Sequence, residues 1–83
     1  MSARSLHVRF FAILREQAGC ATFEASSAAA DASQLYAELQ HRFPGLVFPV
    51  HMLRVSVNER YAAMDAALNA GDRVVLIPPI AGG

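Results

Sequence analysis

One stretch of this chain, Asp31 to Phe43, reads as a long helix, and almost every other apolar stretch reads as a short strand. That imbalance constrains the fold most. A lone helix has no second helix to bury its apolar stripe against, so it must lie on a sheet. The helix signal has three parts. Asp31 is an N-cap candidate, and Gln34, three residues on, completes a capping-box pattern. Leu35, Leu39 and Phe43 follow at four-residue spacing as an apolar stripe. Pro44-Gly45 then ends the run.

The strands are read from alternation. In Leu6 to Phe11, Leu6, Val8 and Phe10 share one face and His7, Arg9 and Phe11 the other. Ala12 to Ala18 carries helix formers, with Gly19 as a stop, and predicts a short helical turn. Cys20 to Ala25 reads as a second strand of weak alternation. Leu46 to Met52 is apolar but broken by Pro49, so it is a packed connector or a short extra helix. Leu53 to Val57 alternates again, Asn58-Glu59-Arg60 is a turn, and Tyr61 to Met64 reads as a short edge strand. Asn69-Ala70-Gly71-Asp72 is a strong turn signal. Arg73 to Ile77 is the last strand, stopped by Pro78, which cannot continue a ladder. Strand, strand, helix, strand, short strand, strand is the order of an α+β, β-grasp (ubiquitin-like) domain, a mixed sheet wrapping one main helix. Other small α+β folds share that order.

Eighty-three residues make one domain, 1–83, with a flexible tail from about residue 78. The chain is 54% hydrophobic and only 17% charged. Either its core is dense or apolar surface is reserved for a partner. Cys20 is the only cysteine and no Cys/His spacing matches a metal site, so neither a disulfide nor a metal props up the small core. These facts suit an intracellular protein helped by a partner subunit, and the expected location is cytoplasmic. Net charge is zero and no basic run occurs, which disfavours nucleic acid. The apolar stretches are too short to span a membrane, and Met1 to Arg9 lacks a signal-peptide layout. All seven basic residues are arginines.

The sequence ends Ile77-Pro78-Pro79-Ile80-Ala81-Gly82-Gly83. Gly82 and Gly83 have no side chains and can thread a narrow channel. A terminal carboxylate on such a tail suits a chain whose own end is another enzyme's substrate. A frayed, incidentally Gly-rich terminus fits the diglycine alone equally well.

Three segments carry a resemblance. Val8-Arg9-Phe10-Phe11-Ala12-Ile13-Leu14-Arg15-Glu16 with Gly19 resembles the opening of the small, sulfur-carrying subunit of molybdopterin synthase. Val55-Ser56-Val57-Asn58 resembles that family's third-strand signature, and Ala70-Gly71-Asp72-Arg73-Val74 with the Pro-Pro-Ile-Ala-Gly-Gly end resembles its close. The matching pieces occur in order along essentially the whole chain; Leu46 to Leu53 matches no signature. The resemblance implies a mechanism. An ATP-dependent, ubiquitin-activating-type adenylyltransferase adenylates the Gly83 carboxylate, and a sulfur donor protein displaces AMP to leave a thiocarboxylate. The tail then enters the large subunit of molybdopterin synthase and donates sulfur to the pterin precursor, in a heterotetramer of two small subunits on a large-subunit dimer. Gly83 is the chemical residue, Gly82 gives steric clearance, and the large subunit supplies the acid–base groups. The chain itself is expected to bind no cofactor and no metal; the ATP is used by the activating enzyme.

The residues add a docking surface. The His7/Arg9 face of the first strand is the polar one, so Phe11 points away from the helix-covered core. The Arg73, Val75, Ile77 parity of the last strand also faces outward. In a β-grasp sheet, Phe11, Tyr61 and Ile77 then make one apolar patch near the tail, with Pro78 and Pro79 stiffening its exit and completing the partner-binding set. Filling of a small core is the alternative, and for Tyr61 it weighs equally. Cys20 reads as an incidental thiol, since it sits near a turn with no cationic residue paired beside it in the sequence. His7, His41 and His51 are scattered and read as surface or packing residues. Arg15-Glu16 reads as a solvated helix pair, and Asn58 holds a turn or tolerates a left-handed backbone. Three other functions stay open: sulfur carriage for thiazole, cysteine or thiolated-tRNA synthesis; a modifier joined to lysines of target proteins; and a passive ubiquitin-like interaction domain.

Overall fold

The computed structural model describes residues 3–79. Its elements are β1 (Arg4–Phe10), α1 (Ile13–Ala18), β2 (Thr22–Ser27), α2 (Ala32–Arg42), a 3₁₀ turn (Val50–Met52), β3 (Arg54–Val57), β4 (Arg60–Ala62) and β5 (Arg73–Ile77). The strands form one sheet in the order β2-β1-β5-β3-β4. The central pair, β1 and β5, is parallel, and the other pairings are antiparallel. The first and last strands therefore lie side by side, with α2 crossing one face. This is the mixed β-grasp sheet expected from the element order.

Alternation decides which side chains meet the helix. Leu6, Val8 and Phe10 of β1 and Val74 and Leu76 of β5 are buried. Register aligns them: Phe10 lies opposite Leu76, and Leu76 opposite Val55 of β3, so one rung of three apolar residues faces α2. Leu35, Tyr36 and Leu39 of the helix close onto this layer. Removing apolar surface from water at each such residue stabilises the fold by about 1.5–3 kcal/mol.

The helix begins as expected. An Asp31 side-chain oxygen accepts from the Gln34 backbone N–H at 2.9 Å. The Gln34 side chain accepts from Ala30 N–H, one residue before the cap, also at 2.9 Å. At the other end, Phe43 is the cap residue rather than the last helical one, and its ring meets those of Phe10 and Phe23 edge-on. The short α1 stops at Gly19, whose φ of 82° is left-handed and whose N–H donates to Arg15 O.

Several boundaries differ from the expectation. β1 starts at Arg4 rather than Leu6 and ends at Phe10 rather than Phe11, and β3 and β4 each start one residue away from the expected position. The second strand runs Thr22–Ser27 rather than Cys20–Ala25. Its inward positions are Phe23, Ala25 and Ser27, and the buried serine hides the apolar alternation. Ser27 is tolerated because its hydroxyl is fully used, donating to Glu38 at 2.6 Å and accepting from Ala29 N–H at 3.0 Å. The edge strand β4 ends at Ala62, two residues short of Met64, because the chain there turns to the N-terminus of α2. Met64 O accepts from Ser33 N–H, and Ala67 bridges to Asp31.

Tyr36 adds a buried polar group on the helix. It is 1% exposed, and its hydroxyl donates to Phe48 O at 2.9 Å, fixing the connector after α2. Burial pushes its pKa above the usual 10.0, partly offset by the Phe48 hydrogen bond. The folded state thus holds the neutral phenol more tightly than the unfolded chain does. The associated stability is present below pH 10 and is lost as pH rises through the folded-state pKa. Chemical denaturation between pH 8 and 11 is expected to show stability falling above pH 10, and the fall should be shallower in Tyr36→Phe.

Two turns are clasped together at the far end of the sheet from the tail. Asn58 and Glu59 both have positive φ, 52° and 72°, the geometry of a two-residue hairpin between β3 and β4. The Asn58 side chain donates to Asp72 at 2.9 Å and accepts from Arg73 N–H at 2.9 Å. Asp72 is buried and its other oxygen accepts from Asn69 N–H at 2.8 Å. The strand-three motif and the Gly-Asp-Arg motif are thus one hydrogen-bonded unit.

Candidate functional site

Among the described residues, none covers the sheet face turned away from α2. Register arranges its side chains in rows. Thr22, Arg9, Val75, Ser56 and Tyr61 lie across β2, β1, β5, β3 and β4 in turn. The neighbouring row toward the turn clasp holds Glu24, His7 and Arg73. The neighbouring row toward the tail holds Ile77 and Arg54.

These rows divide the face by chemistry. One half is polar and internally paired: His7 Nδ1 lies 2.5 Å from Glu24, and Arg73 lies 3.4 Å from Glu59. The other half is a shallow groove in which Phe11, Tyr61, Val75 and Ile77 meet, with Arg9, Ser56 and Glu59 along its border. The Arg9 guanidinium stacks 5.4 Å from the centre of the Phe11 ring. Phe11 is 44% exposed and Tyr61 80% exposed, whereas Ile77 is half-buried. The structure therefore brings together the three apolar candidates, Phe11, Tyr61 and Ile77. Tyr61 fills no core space.

The groove opens where the tail leaves the sheet. β5 runs parallel to β1, so Ile77 emerges beside the point where Phe10 hands over to Phe11. The next residue corrects an expectation: Pro78 is buried within the domain, while Pro79 is exposed. Pro78 anchors the end of the strand and offers little surface to a partner; Pro79 is the first residue presented outward. Gly82 and Gly83 lie outside the described residues.

Phe11 is held in place by a strained turn. Ala12 adopts φ 53° and ψ −126°, and Phe11 O accepts from Leu14 N–H at 3.0 Å across it. This is the first central position of a mirror-type turn, where glycine is the usual residue. A non-glycine residue in such a conformation costs on the order of 1–3 kcal/mol. Replacing it by glycine gives back about 0.4–1 kcal/mol through the looser unfolded chain. Ala12→Gly is therefore expected to raise the melting temperature, and an unchanged or lower value would remove strain from the account of this turn.

Sequence reasoning missed part of the exposed apolar surface. Ile13 is 40% exposed at the start of α1, and Val47, Val50 and Met52 are exposed on the connector. The break at Pro49 was the available signal, since an apolar run that cannot form a regular element leaves some side chains outside. Cys20 is half-buried against the core edge, and His41 and His51 are exposed on separate elements. Among the described residues, no three His, Cys, Asp or Glu side chains cluster as a metal site, and no helix is long and apolar enough to cross a membrane.

Comparison with known proteins agrees with this geometry. The model of the ThiS family matches residues 8–83. The crystal structure of SAMP1 from Haloferax volcanii superposes with a TM-score of 0.77 at 30% identity, covering 95% of this chain and 99% of that one. Subunit 1 or 2 in the molybdopterin-converting factor complex from Helicobacter pylori superposes at 0.63 with 28% identity, covering 95% and 99%. A chain of the Amycolatopsis orientalis BexX/CysO complex shares the fold at 0.72 with 24% identity, covering 94% and 99%. Two of these three relatives were solved in complex with another protein. With the β-grasp sheet, the ordered motifs and a family match over all but the first seven residues, the chain belongs to the ThiS family and is a ubiquitin-like sulfur carrier of that type.

Proposed function

We propose that this chain is the small, sulfur-carrying subunit of molybdopterin synthase. The observation that carries the reading is the apolar groove of Phe11, Tyr61, Val75 and Ile77, which lies at the end of the sheet where the tail departs. A partner seated on that groove receives the tail directly. The likeness to the Helicobacter pylori molybdopterin-converting factor complex supports the choice of pathway.

In this reading the domain grips and the tail reacts. A carboxylate is a poor electrophile, so an adenylyltransferase first converts the Gly83 carboxylate to a mixed anhydride with AMP, using ATP. A sulfur donor protein then displaces AMP and leaves a thiocarboxylate, a better nucleophile at neutral pH. Gly82 keeps the backbone narrow beside the reacting carbon. The large subunit supplies the acid–base groups, and two small subunits sit on its central dimer.

A second reading, attachment to other proteins as a modifier, is favoured by the likeness to SAMP1 of Haloferax volcanii. Both use the same activated end and differ in the acceptor. Co-purification from the native cell followed by intact-mass analysis separates them. A stable complex with a large subunit, and a carrier mass increased by one sulfur-for-oxygen exchange, is the expected result. Recovery only as amide-linked adducts would move the assignment to the modifier.

A further inference from the structure

The seven basic residues are all arginines, and the 83 residues contain no lysine. Structure explains only some of these choices. Arg4 uses the fork of its guanidinium, donating to Ser27 O at 3.0 Å and Leu68 O at 2.9 Å. Arg9 stacks on Phe11, and Arg42 stacks on Phe23 and Phe43. These contacts need a planar, multi-donor cation. Arg15, Arg54 and Arg60 are exposed, and among the described residues Arg54 reaches only the carbonyl of its own neighbour Leu53, at a long 3.4 Å. A lysine would meet the same electrostatic need at those three places.

The remaining difference is nucleophilicity. A lysine amine loses its proton near pH 10.4 and then attacks acyl groups, whereas a guanidinium stays protonated. Arg54 is the register partner of Ile77. Gly83 is six residues further on, and such a segment reaches at most about 20 Å. An amine at position 54 would sit within reach of the chain's own activated end, at an effective concentration on the order of millimolar.

We infer that the chain keeps amines off its side chains so that its activated C-terminal acyl group is not consumed by itself or by other copies. This rests on the proposed activation of Gly83. The reaction avoided is simple aminolysis. The amine nitrogen attacks the acyl carbon, a C–N bond forms, the bond to the AMP oxygen breaks, AMP leaves with the electron pair, and the amine proton goes to solvent. Two consequences follow. Side-chain amines do not compete with sulfur transfer and hydrolysis for the activated end, and any amide made with another protein cannot be extended through a side chain of this one.

The test supplies the activated end chemically, so it does not depend on an activating enzyme. The 83-residue chain is released from an intein fusion as the Gly83 mercaptoethanesulfonate thioester and incubated at pH 8.5, beside Arg54→Lys and Arg15→Lys. Thermal melts confirm that the variants fold. Peptide mapping then counts amides at side chains. Wild type should yield the hydrolysed acid, with any amide confined to the Met1 α-amine, and no side-chain amide. The lysine variants should gain side-chain amide, within one chain or between two, at least about tenfold above wild type, because a tethered amine outcompetes dilute ones. Lysine variants that hydrolyse with no more amide than wild type, or side-chain amides in wild type itself, overturn the inference. Failure of the carrier reading shows separately, as absence of the sulfur-for-oxygen mass shift in the native protein.

Discussion

Adding one residue after Gly83 should abolish sulfur transfer and leave the melting temperature unchanged. Among the described residues Pro78 is the last buried one and Pro79 is exposed, so an extension beyond Gly83 is expected to cost the fold nothing measurable. The proposed chemistry would need both glycines, and an extension would move the carboxylate away from the position at which it is activated and used. Changes at Gly82 should act in graded fashion. Gly82→Ala adds one methyl and narrows the backbone choices, and Gly82→Val adds a branched side chain beside the reacting carbon. Adenylation and transfer rates should fall in that order. Wild-type rates for Gly82→Val, or full activity of an untrimmed extended chain, would show that the tail threads no narrow channel.

The second large effect belongs to the groove. Ile77→Asp and Phe11→Asp should each weaken association with the partner subunit. Losing the burial of such a side chain removes about 1.5–3 kcal/mol, or roughly 10–100-fold in Kd. The variants differ in how cleanly they report. Ile77 is half-buried in the free domain, so part of its effect will appear as lower stability. Tyr61 is 80% exposed, so Tyr61→Ala should leave the melt untouched and any loss of affinity belongs to the interface. Titration calorimetry against the partner, with melts of each free variant, reads both. Unchanged affinity in all three variants would remove the groove from the docking account.

Much of this architecture was legible in the residues because the signals were local. Asp31 with Gln34, Gly19, and the strict alternation in β1 and β5 each dictate geometry within a few positions. Alternation also put Phe11, Val75 and Ile77 on the outer face before the pairing was known. The misreadings share a cause: they depend on contacts distant in sequence. Ser27 is an inward strand residue only because Glu38, eleven positions on, accepts its hydroxyl hydrogen. Tyr36 lies outside the Leu35, Leu39, Phe43 stripe, and it joins the core because Phe48 O, twelve positions on, satisfies its hydroxyl. Pro78 read as tail, yet packing beyond the end of β5 buries it. Gly45 was read as a helix stop, but it also meets a tertiary constraint: a Cβ there would lie 2.5 Å from the Gln17 carbonyl oxygen. No pattern within the connector announces that α1 passes so close.

The parallel pairing of β1 with β5 has a mechanical consequence. A tail gripped inside a partner transmits any pull along the axis of β5. That strand lies in the middle of the sheet, laddered to β1 on one side and β3 on the other. A load along the strand puts both ladders in shear, so their hydrogen bonds resist together rather than opening one at a time. Arg73, where β5 begins, is also bonded to the Asn58 clasp through its N–H and carbonyl, which braces the strand at the end opposite the pull. An edge strand in the same role would peel. If the tail works as proposed, this placement lets its end be drawn out of a tight site without the strand peeling from the sheet.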